Sequence, residues 1–341
     1  MKIAIDAMGG DYAPLEIVLG AIQAVKEYDL EVVLVGDEEK IKEVLKDQHE
    51  ENNSKLSIVH TDEVIGMDEH PGQAIRKKKN ASIVVATRLV REKTCDAVVA
   101  PGSTGAAVAA ALFGLGRIPG IERPSIATPL PTLNGVTVML DSGANSSSKP
   151  KHLVEGAIMG YHYAKYIFSK EDPVVGLLNI GEEASKGNDV VLETYPMLKQ
   201  LKTIPFYGNI EGRDIPYGTV DVVVCDGFVG NVVLKFGEGL ANAMMKLIKE
   251  AIKESGWLAK LGALAVMPAL RHLKTRVDYT EYGGAPLLGV NGSFIICHGS
   301  SKAKSIKNAI RVASEIVERD VVEHIRTSVA EEGVGKNGEK E

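Results

Sequence analysis

The chain has 341 residues, 45% of them hydrophobic and 25% charged, with a formal net charge of −6. This is an ordinary composition for a folded globular protein, with length for one large domain or two lobes, and the acidic balance argues against nucleic acid as the main partner. The three cysteines, Cys95, Cys225 and Cys297, form no C-x-x-C pair, which fits a reducing compartment better than a disulfide framework or a zinc site.

In chain order, KIAIDA (2–7) reads as a first strand rather than a targeting segment. Pro14 then suits the first turn of a helix over 15–28. LEVVLVG (30–36) predicts a strand, followed by a charged helix over about 37–46. KLSIVHT (55–61) predicts another, followed by helical segments near 72–79 and 84–92. CDAVVA (95–100) enters PGSTG and an alanine-rich helix. GVTVMLD (135–141) enters SGANSSSKP and a helix containing 154–168. PVVGLLNI (173–180) enters GEEASKGND and a helix to about 201. DVVVC (221–225) enters DGFVGN and a helix over about 232–255. No uncharged apolar run reaches the ~18 residues of a spanning helix, so a cytoplasmic protein is expected.

Strands of continuous Val, Ile, Leu and Ala are buried on both faces, and their alternation with helices implies a mostly parallel sheet. The expected fold class is a doubly wound α/β fold with helices on both faces and right-handed crossovers. We expect one α/β catalytic unit over 1–332. Its finer division is two lobes, about 1–130 with 280–332 and about 131–279, the second carrying a helical hairpin at 232–276. Residues 333–341 read as a disordered tail.

Open parallel sheets bind ligands outside the carboxyl ends of their strands, and there the unusual residues gather. They are Gly9-Gly10-Asp11, Gly102-Ser103-Thr104-Gly105, Asp141 to Asn145, Gly181 to Gly187 with Lys186, and Asp226-Gly227 to Gly230-Asn231. Glycines let backbone N–H groups approach a ligand, and helix N-termini favour an anion. Each loop taken alone reads rather as a turn with an N-cap; five together favour a site for phosphate or another oxyanion.

Named motifs mostly fail. PGSTG lacks the G-K-[ST] of a triphosphate-binding loop, and GEGLAN (237–242) lies in a helical pattern without the last glycine of a dinucleotide fingerprint. Ser146-x-x-Lys149 has no K-T-G partner, and there is no G-x-S-x-G elbow. Cys297 and His298 are neighbours that a strand would point to opposite faces, a poor nucleophile–base pair. His298 itself, before Gly299, Ser300 and Ser301, suits either a ligand-orienting acid or a hydrogen-bonded structural histidine. Asp6, Asp141 and Asp226 end strands, as caps or as polar groups aimed into the crevice. No cluster has metal-ligand spacing, so neither metal nor cofactor is expected.

Two other segments stand out. Arg76-Lys77-Lys78-Lys79 is a dense basic run, either a solvated helix face or a dock for an acidic partner. GWLAKLGALAVMPALRHLKTR (256–276) interleaves Trp257, Leu258, Leu261 and Leu264 with Lys260, Arg271, Lys274 and Arg276. Pro268 is expected to break a helix there. The segment reads as a hairpin in a dimer interface or as an apolar tip with basic flanks that enters a membrane surface.

IDAMGGD (5–11), APGSTGA (100–106), LDSGAN (140–145), GLLNIGEEASKGND (176–189), DVVVCDGFVGNVVLK (221–235) and YGGAPLLGVNG with HGSS (282–301) resemble, in order and spacing, the PlsX family of phosphate acyltransferases. The resemblance implies conversion of acyl-[acyl-carrier protein] and inorganic phosphate into acyl phosphate for phospholipid synthesis. It implies a fold akin to the isopropylmalate dehydrogenase and phosphotransacetylase group, a homodimer, and no metal. It also implies peripheral attachment to the inner face of the cytoplasmic membrane through Trp257, Leu258, Leu261 and Leu264. The product would pass to an acyl-phosphate-using glycerol-3-phosphate acyltransferase.

On this reading the loops at Gly102–Gly105 and Gly227–Asn231 position phosphate, with Lys186 as charge partner. Gly9, Gly10, Asp11, Asp141, Gly181, Asp226 and Ser300 complete the substrate-binding set. Asn145, Asn231 and His298 serve the oxyanion or the leaving thiol, and Arg76 with Lys77, Lys78 and Lys79 meets the carrier protein. The alternatives are a decarboxylating hydroxyacid dehydrogenase on the same fold and a non-catalytic membrane-associated scaffold of lipid synthesis.

Overall fold

The computed structural model describes residues 1–66, 68–277 and 282–333, apart from the side chains of 270–277. The first part of the chain forms β1 (Lys2–Asp6), α1 (Leu15–Glu27), β2 (Glu31–Gly36), α2 (Glu38–Asp47), β3 (Leu56–His60), α3 (Pro71–Lys77), α4 (Ser82–Arg91), β4 (Ala97–Ala100) and α5 (Thr104–Gly114). β5 (Ser125–Ile126), β6 (Thr128–Thr132), β7 (Gly135–Leu140), α6 (Pro150–Ile167), β8 (Val175–Asn179), α7 (Asp189–Lys199), β9 (Phe206–Glu211) and β10 (Val222–Val224) follow. The chain continues through α8 (Gly227–Glu254), α9 (Trp257–Val277), β11 (Ala285–Leu288), β12 (Ser293–Ile296), α10 (Ala303–Glu318) and α11 (Val321–Glu331).

Among the described residues the strands form two sheets rather than the one expected. A seven-stranded sheet has the order β3-β2-β1-β4-β12-β11-β5, and a five-stranded sheet the order β6-β7-β10-β8-β9. Most pairs are parallel, and helices cover both faces. The antiparallel pairs are β11 with β12, β11 with β5, and β6 with β7. β6 escapes the sequence pattern because its TPLPT carries Pro129 and Pro131. Such a strand suits only an edge, where a missing N–H is harmless, and β6 is an edge. β5, β9, β11, β12 and α11 are likewise additions to the expected elements.

The central strands are aliphatic and buried on both faces: Ile3, Ala4 and Ile5 of β1 and Val222 and Val223 of β10 are fully inaccessible. Each Val, Leu or Ile so buried stabilises the fold by roughly 1.5–3 kcal/mol. Caps set the helix starts: Asp37 accepts from the Glu39 and Lys40 amides before α2, and Asn188 from the Val191 amide before α7.

Three other expectations need adjusting. α8 starts at Gly227, five residues before the expected 232, because Asp226 caps it. Pro268 lies inside α9 and does not end it; a proline removes one intrahelical bond, and here the turns on either side persist. The tail expected at 333–341 lies outside the described residues from 334 onward.

Candidate active site at the strand ends

The chain order places two groups of loops at the carboxyl ends of the two sheets. In the seven-stranded sheet, β1, β4 and β12 are parallel neighbours, so the loops after them share one edge. They touch. A Cβ at Gly9 would lie 2.9 Å from the Gly102 nitrogen, and one at Gly10, where φ is +92°, would lie 2.7 Å from the Pro101 carbonyl oxygen and 2.9 Å from that of Gly299. The Asp11 amide donates to the same Gly299 oxygen at 2.8 Å. Asp11 serves this edge through its backbone, and its side chain is exposed.

Beneath these loops Asp6 is buried, its Oδ1 accepting from the Met8 amide at 3.1 Å. Burial raises its carboxyl above the usual range. Ser103 takes the N-cap position of α5 without a side-chain cap bond. Gly105 works elsewhere, since a Cβ there would lie 2.6 Å from Pro71 Cγ; this glycine seats α3 against α5.

His298 is exposed, whereas the neighbouring Cys297 is buried, the opposed arrangement expected of a strand end. Its Nδ1 accepts from the Ser300 amide at 3.2 Å and lies 2.7 Å from Ser300 Oγ. A neutral imidazole held this way carries its proton on Nε2, on the outer side. Ser300 thus orients His298.

In the five-stranded sheet β10 lies between β7 and β8, all parallel. The loop after β7 is built around Asp141, whose carboxylate accepts five hydrogen bonds. Oδ1 accepts from the amides of Ile126 (3.0 Å), Gly143 (3.2 Å) and Ala144 (3.0 Å). Oδ2 accepts from Asn145 N (2.8 Å) and Asn145 Nδ2 (2.9 Å). Asp141, expected to bind substrate, is used in shaping the loop. Asn145, expected as a donor to the reacting centre, is also used inward: its amide group donates to Asp141 and to the Pro124 carbonyl at 2.8 Å. A side-chain amide has two N–H donors, and both are engaged.

The start of α8 packs directly on this loop. A Cβ at Gly227 would lie 2.3 Å from the Asn145 carbonyl oxygen, and one at Gly230 would lie 2.0 Å from that of Asp141. The sequence expectation is that these glycines admit a ligand to the backbone; what they admit is the neighbouring loop. Asp226 is the N-cap of α8, accepting from Phe228 N at 2.9 Å and Val229 N at 3.4 Å. Its carboxylate therefore occupies the anion position of that helix start. Asn231 is exposed beside Gly143, 3.4 Å from Asn231 Cγ to a Cβ built there.

The loop after β8 is tied at its base: Asn179 Nδ2 donates to the Lys186 carbonyl and Asn209 Nδ2 to that of Glu183, both at 2.9 Å. Gly181 is packed against Lys186 and Glu183. The Lys186 side chain is exposed on this anchored loop.

The two groups of loops are joined through residues 124–126. Beyond the contacts to Asp141 and Asn145, the Ser142 amide donates to the Ile126 carbonyl at 3.1 Å, and Ser142 Oγ lies 2.6 Å from Thr128 Oγ1. Ala144 packs on the core cluster that includes Ala107, Ala110 and Ala111 of α5. The three thiols are buried, Cys225 with its Sγ 3.6 Å from the Asp141 carbonyl oxygen. Burial pushes Cys95 up to about 11, Cys297 up to about 12, and Cys225 higher still.

Of the basic run, Lys78 is engaged: its Nζ donates to the Val64 carbonyl at 2.8 Å and to Glu69 at 2.6 Å. It holds the preceding segment and is withdrawn from docking. Arg76, Lys77 and Lys79 are exposed, with the Arg76 guanidinium 5.3 Å from the Phe113 ring centre. Trp257, Leu258, Leu261 and Leu264 are all exposed on α9. No described helix is long and apolar enough to cross a membrane.

Residues 1–324 match the sequence model of the family described as "Fatty acid synthesis protein". A phosphate acyltransferase of Pelotomaculum thermopropionicum is 60% identical over 329 residues, 96% of this chain and 95% of that one. Another, of Heliobacterium modesticaldum, is 56% identical over 329 residues, 96% of this chain and 98% of the other. Among solved structures, a phosphotransacetylase from Streptococcus pyogenes is similar at a TM-score of 0.66 and 19% identity, covering 95% of this chain and 94% of that one. The EutD phosphotransacetylase from Staphylococcus aureus is similar at 0.62 and 15%, covering 93% and 94%. At these identities the two structures show a common fold. The family match and the near full-length identity agree: the chain belongs to the PlsX family, the phosphate acyltransferases.

Proposed function

We propose that this phosphate acyltransferase transfers the acyl group of an acyl-[acyl-carrier protein] to inorganic phosphate at the joined loops of the two sheets. The observation that carries the reading is identity of 60% across 96% of the chain to a phosphate acyltransferase, beside a family match over residues 1–324 that includes all five loops. The same reading divides the chain into two lobes, about 1–130 with 280–332 and about 131–279, a division supported by the presence of two sheets, with β6 falling across it.

Phosphate is an oxyanion nucleophile at neutral pH and needs no covalent enzyme intermediate. The first amides of α5, with Ser103 and Thr104, receive it, and Lys186 supplies the positive charge. One phosphate oxygen attacks the thioester carbonyl carbon, the C–S bond breaks, and acyl phosphate and the carrier thiolate separate. Positioning the two reactants supplies roughly 7–11 kcal/mol of the barrier. Asn231 donates to the developing oxyanion, and the outer Nε2–H of His298 donates a hydrogen bond to the departing sulfur, which takes up the proton that the attacking hydrogen phosphate loses.

α3 lies along α5, Pro71 against Gly105 at its start and Arg76 over Phe113 at its end, and the exposed Arg76, Lys77 and Lys79 of this flank receive an acidic carrier protein. Of the 28 residues of α8 only Gly227 and Gly230 are buried, while Val232, Phe236, Leu240, Met244 and Leu247 are exposed along it. A second copy of the chain covers this face, and the α9 tip rests on the inner membrane surface. There the acyl phosphate passes to a glycerol-3-phosphate acyltransferase.

Incubation with acyl-carrier thioester and phosphate is the direct test. Phosphate-dependent release of carrier thiol, with an acyl phosphate trapped by hydroxylamine, is expected. Absence of both rejects the reaction.

A further inference from the structure

Glu155 lies on the inner face of α6, fully inaccessible, among Leu153, Val154, Ala157 and Ile158. Its Oε2 accepts from two successive backbone amides, Glu122 at 2.9 Å and Arg123 at 3.3 Å. Its Oε1 is buried without a partner. Burying a carboxyl there is unfavourable compared with an apolar side chain. What it secures is the path of the irregular segment 121–124.

The next residues of that segment hold the reaction loop. Pro124 presents the carbonyl that fixes Asn145, and Ile126 presents the amide that fixes Asp141. Asp141 and Asn145 in turn form the surface on which Gly227 and Gly230 seat the start of α8, next to Asn231. We infer that Glu155 is a positioning residue for acyl transfer, acting through residues 122–126 on the 141–145 loop and so on Asn231. The inference rests on the reading that this loop and Asn231 serve the reaction.

The neighbouring titratable groups are Lys151 and His152 on α6 and Glu122 and Arg123 on the segment, and Val224 of β10 lies opposite the adjoining Gly156. Lys151 and His152 are both turned to the Glu122 carboxylate, at 2.7 and 3.2 Å, which leaves Glu155 to the two amides.

The test compares Glu155→Gln, Asn145→Ala and the double variant. Glu155→Gln is expected to lower kcat about tenfold while KM for phosphate stays within about twofold, because phosphate is received by α5. Asn145→Ala cuts the same chain of contacts further along, so the double variant is expected to match the slower single variant within about twofold. An unchanged kcat in Glu155→Gln overturns the inference, as do multiplicative losses in the double variant. Asn145→Ala at the wild-type rate removes the site reading itself and the inference with it.

Hydrogen exchange on the unmutated chain serves if the variants fail to fold. Acyl-carrier thioester added without phosphate is expected to raise protection at the Glu122, Arg123 and Ile126 amides together. No change at these amides overturns the proposal.

Discussion

At the scale of single residues, the site separates side chains that build loops from those that face outward. Asp141 and Asn145 use their polar atoms on one another and on 124–126, whereas Asn231, Lys186 and His298 are exposed at the rim. Asn231→Ala is expected to lower kcat about a hundredfold, the effect of losing one oxyanion donor, with the thermal midpoint nearly unchanged. Parallel steady-state kinetics and thermal unfolding check this. Gly230→Ala should behave in the opposite way. Its new methyl group would sit 2.0 Å from the Asp141 carbonyl oxygen, and relieving that overlap moves main chain, a loss of about 1–3 kcal/mol in denaturant unfolding.

Glu155 adds a pH signature at the same scale. Burial pushes its carboxyl up to about 7 from the ordinary 4.5. A carboxyl raised on folding contributes stability that is fully present below pH 4.5 and is lost as pH rises through 7. The stability of the native chain relative to Glu155→Gln is therefore expected to fall by about 3 kcal/mol between pH 4.5 and 8. Denaturation curves at a series of pH values read this directly; a pH-independent difference contradicts the burial argument.

Among the elements, α8 and the described side chains of α9 contrast with α1 and α10. α1 and α10 bury a continuous apolar face against the sheet; α8 and α9 leave theirs in the open. The spacing 232, 236, 240, 244, 247 puts the α8 residues along one stripe. Trp257, Leu258, Leu261 and Leu264 cluster on α9 just after the turn that follows α8. Leu258→Glu and Leu261→Glu are expected to abolish sedimentation of the protein with anionic phospholipid vesicles. Turnover of acyl-carrier thioester in solution should persist. Sedimentation that survives both changes rules out the α9 tip as the anchor.

For the whole molecule, the reducing-compartment reading of the cysteines becomes a statement about packing. Cys95, Cys225 and Cys297 are each buried in the body, and burial disfavours their thiolates. Iodoacetamide at pH 8 is expected to leave all three unmodified on the native chain and to label all three after unfolding. Rapid native labelling of any one would show that its part of the core opens, and would return the question of a thiol intermediate.

The sequence by itself determined the kinds of element and the kinds of loop. Runs such as VVLV and AVVA have no polar face, so they read as strands buried on both sides, and the glycine-rich stretches after them read as helix entries. Those signals are local, carried within a few residues, and the family motifs lie in the same stretches. Only the tertiary structure decided that there are two sheets and that Gly227 and Gly230 make room for residues 141–145. It alone turned Asn145 inward and tied Glu155 to the segment that supports the loop. Each of these is a contact across a long stretch of chain: Cys225 approaches the Asp141 carbonyl from 84 residues away. Hydrophobic periodicity fixes which face of an element is buried, but the partner of that face is set by the path of the whole chain.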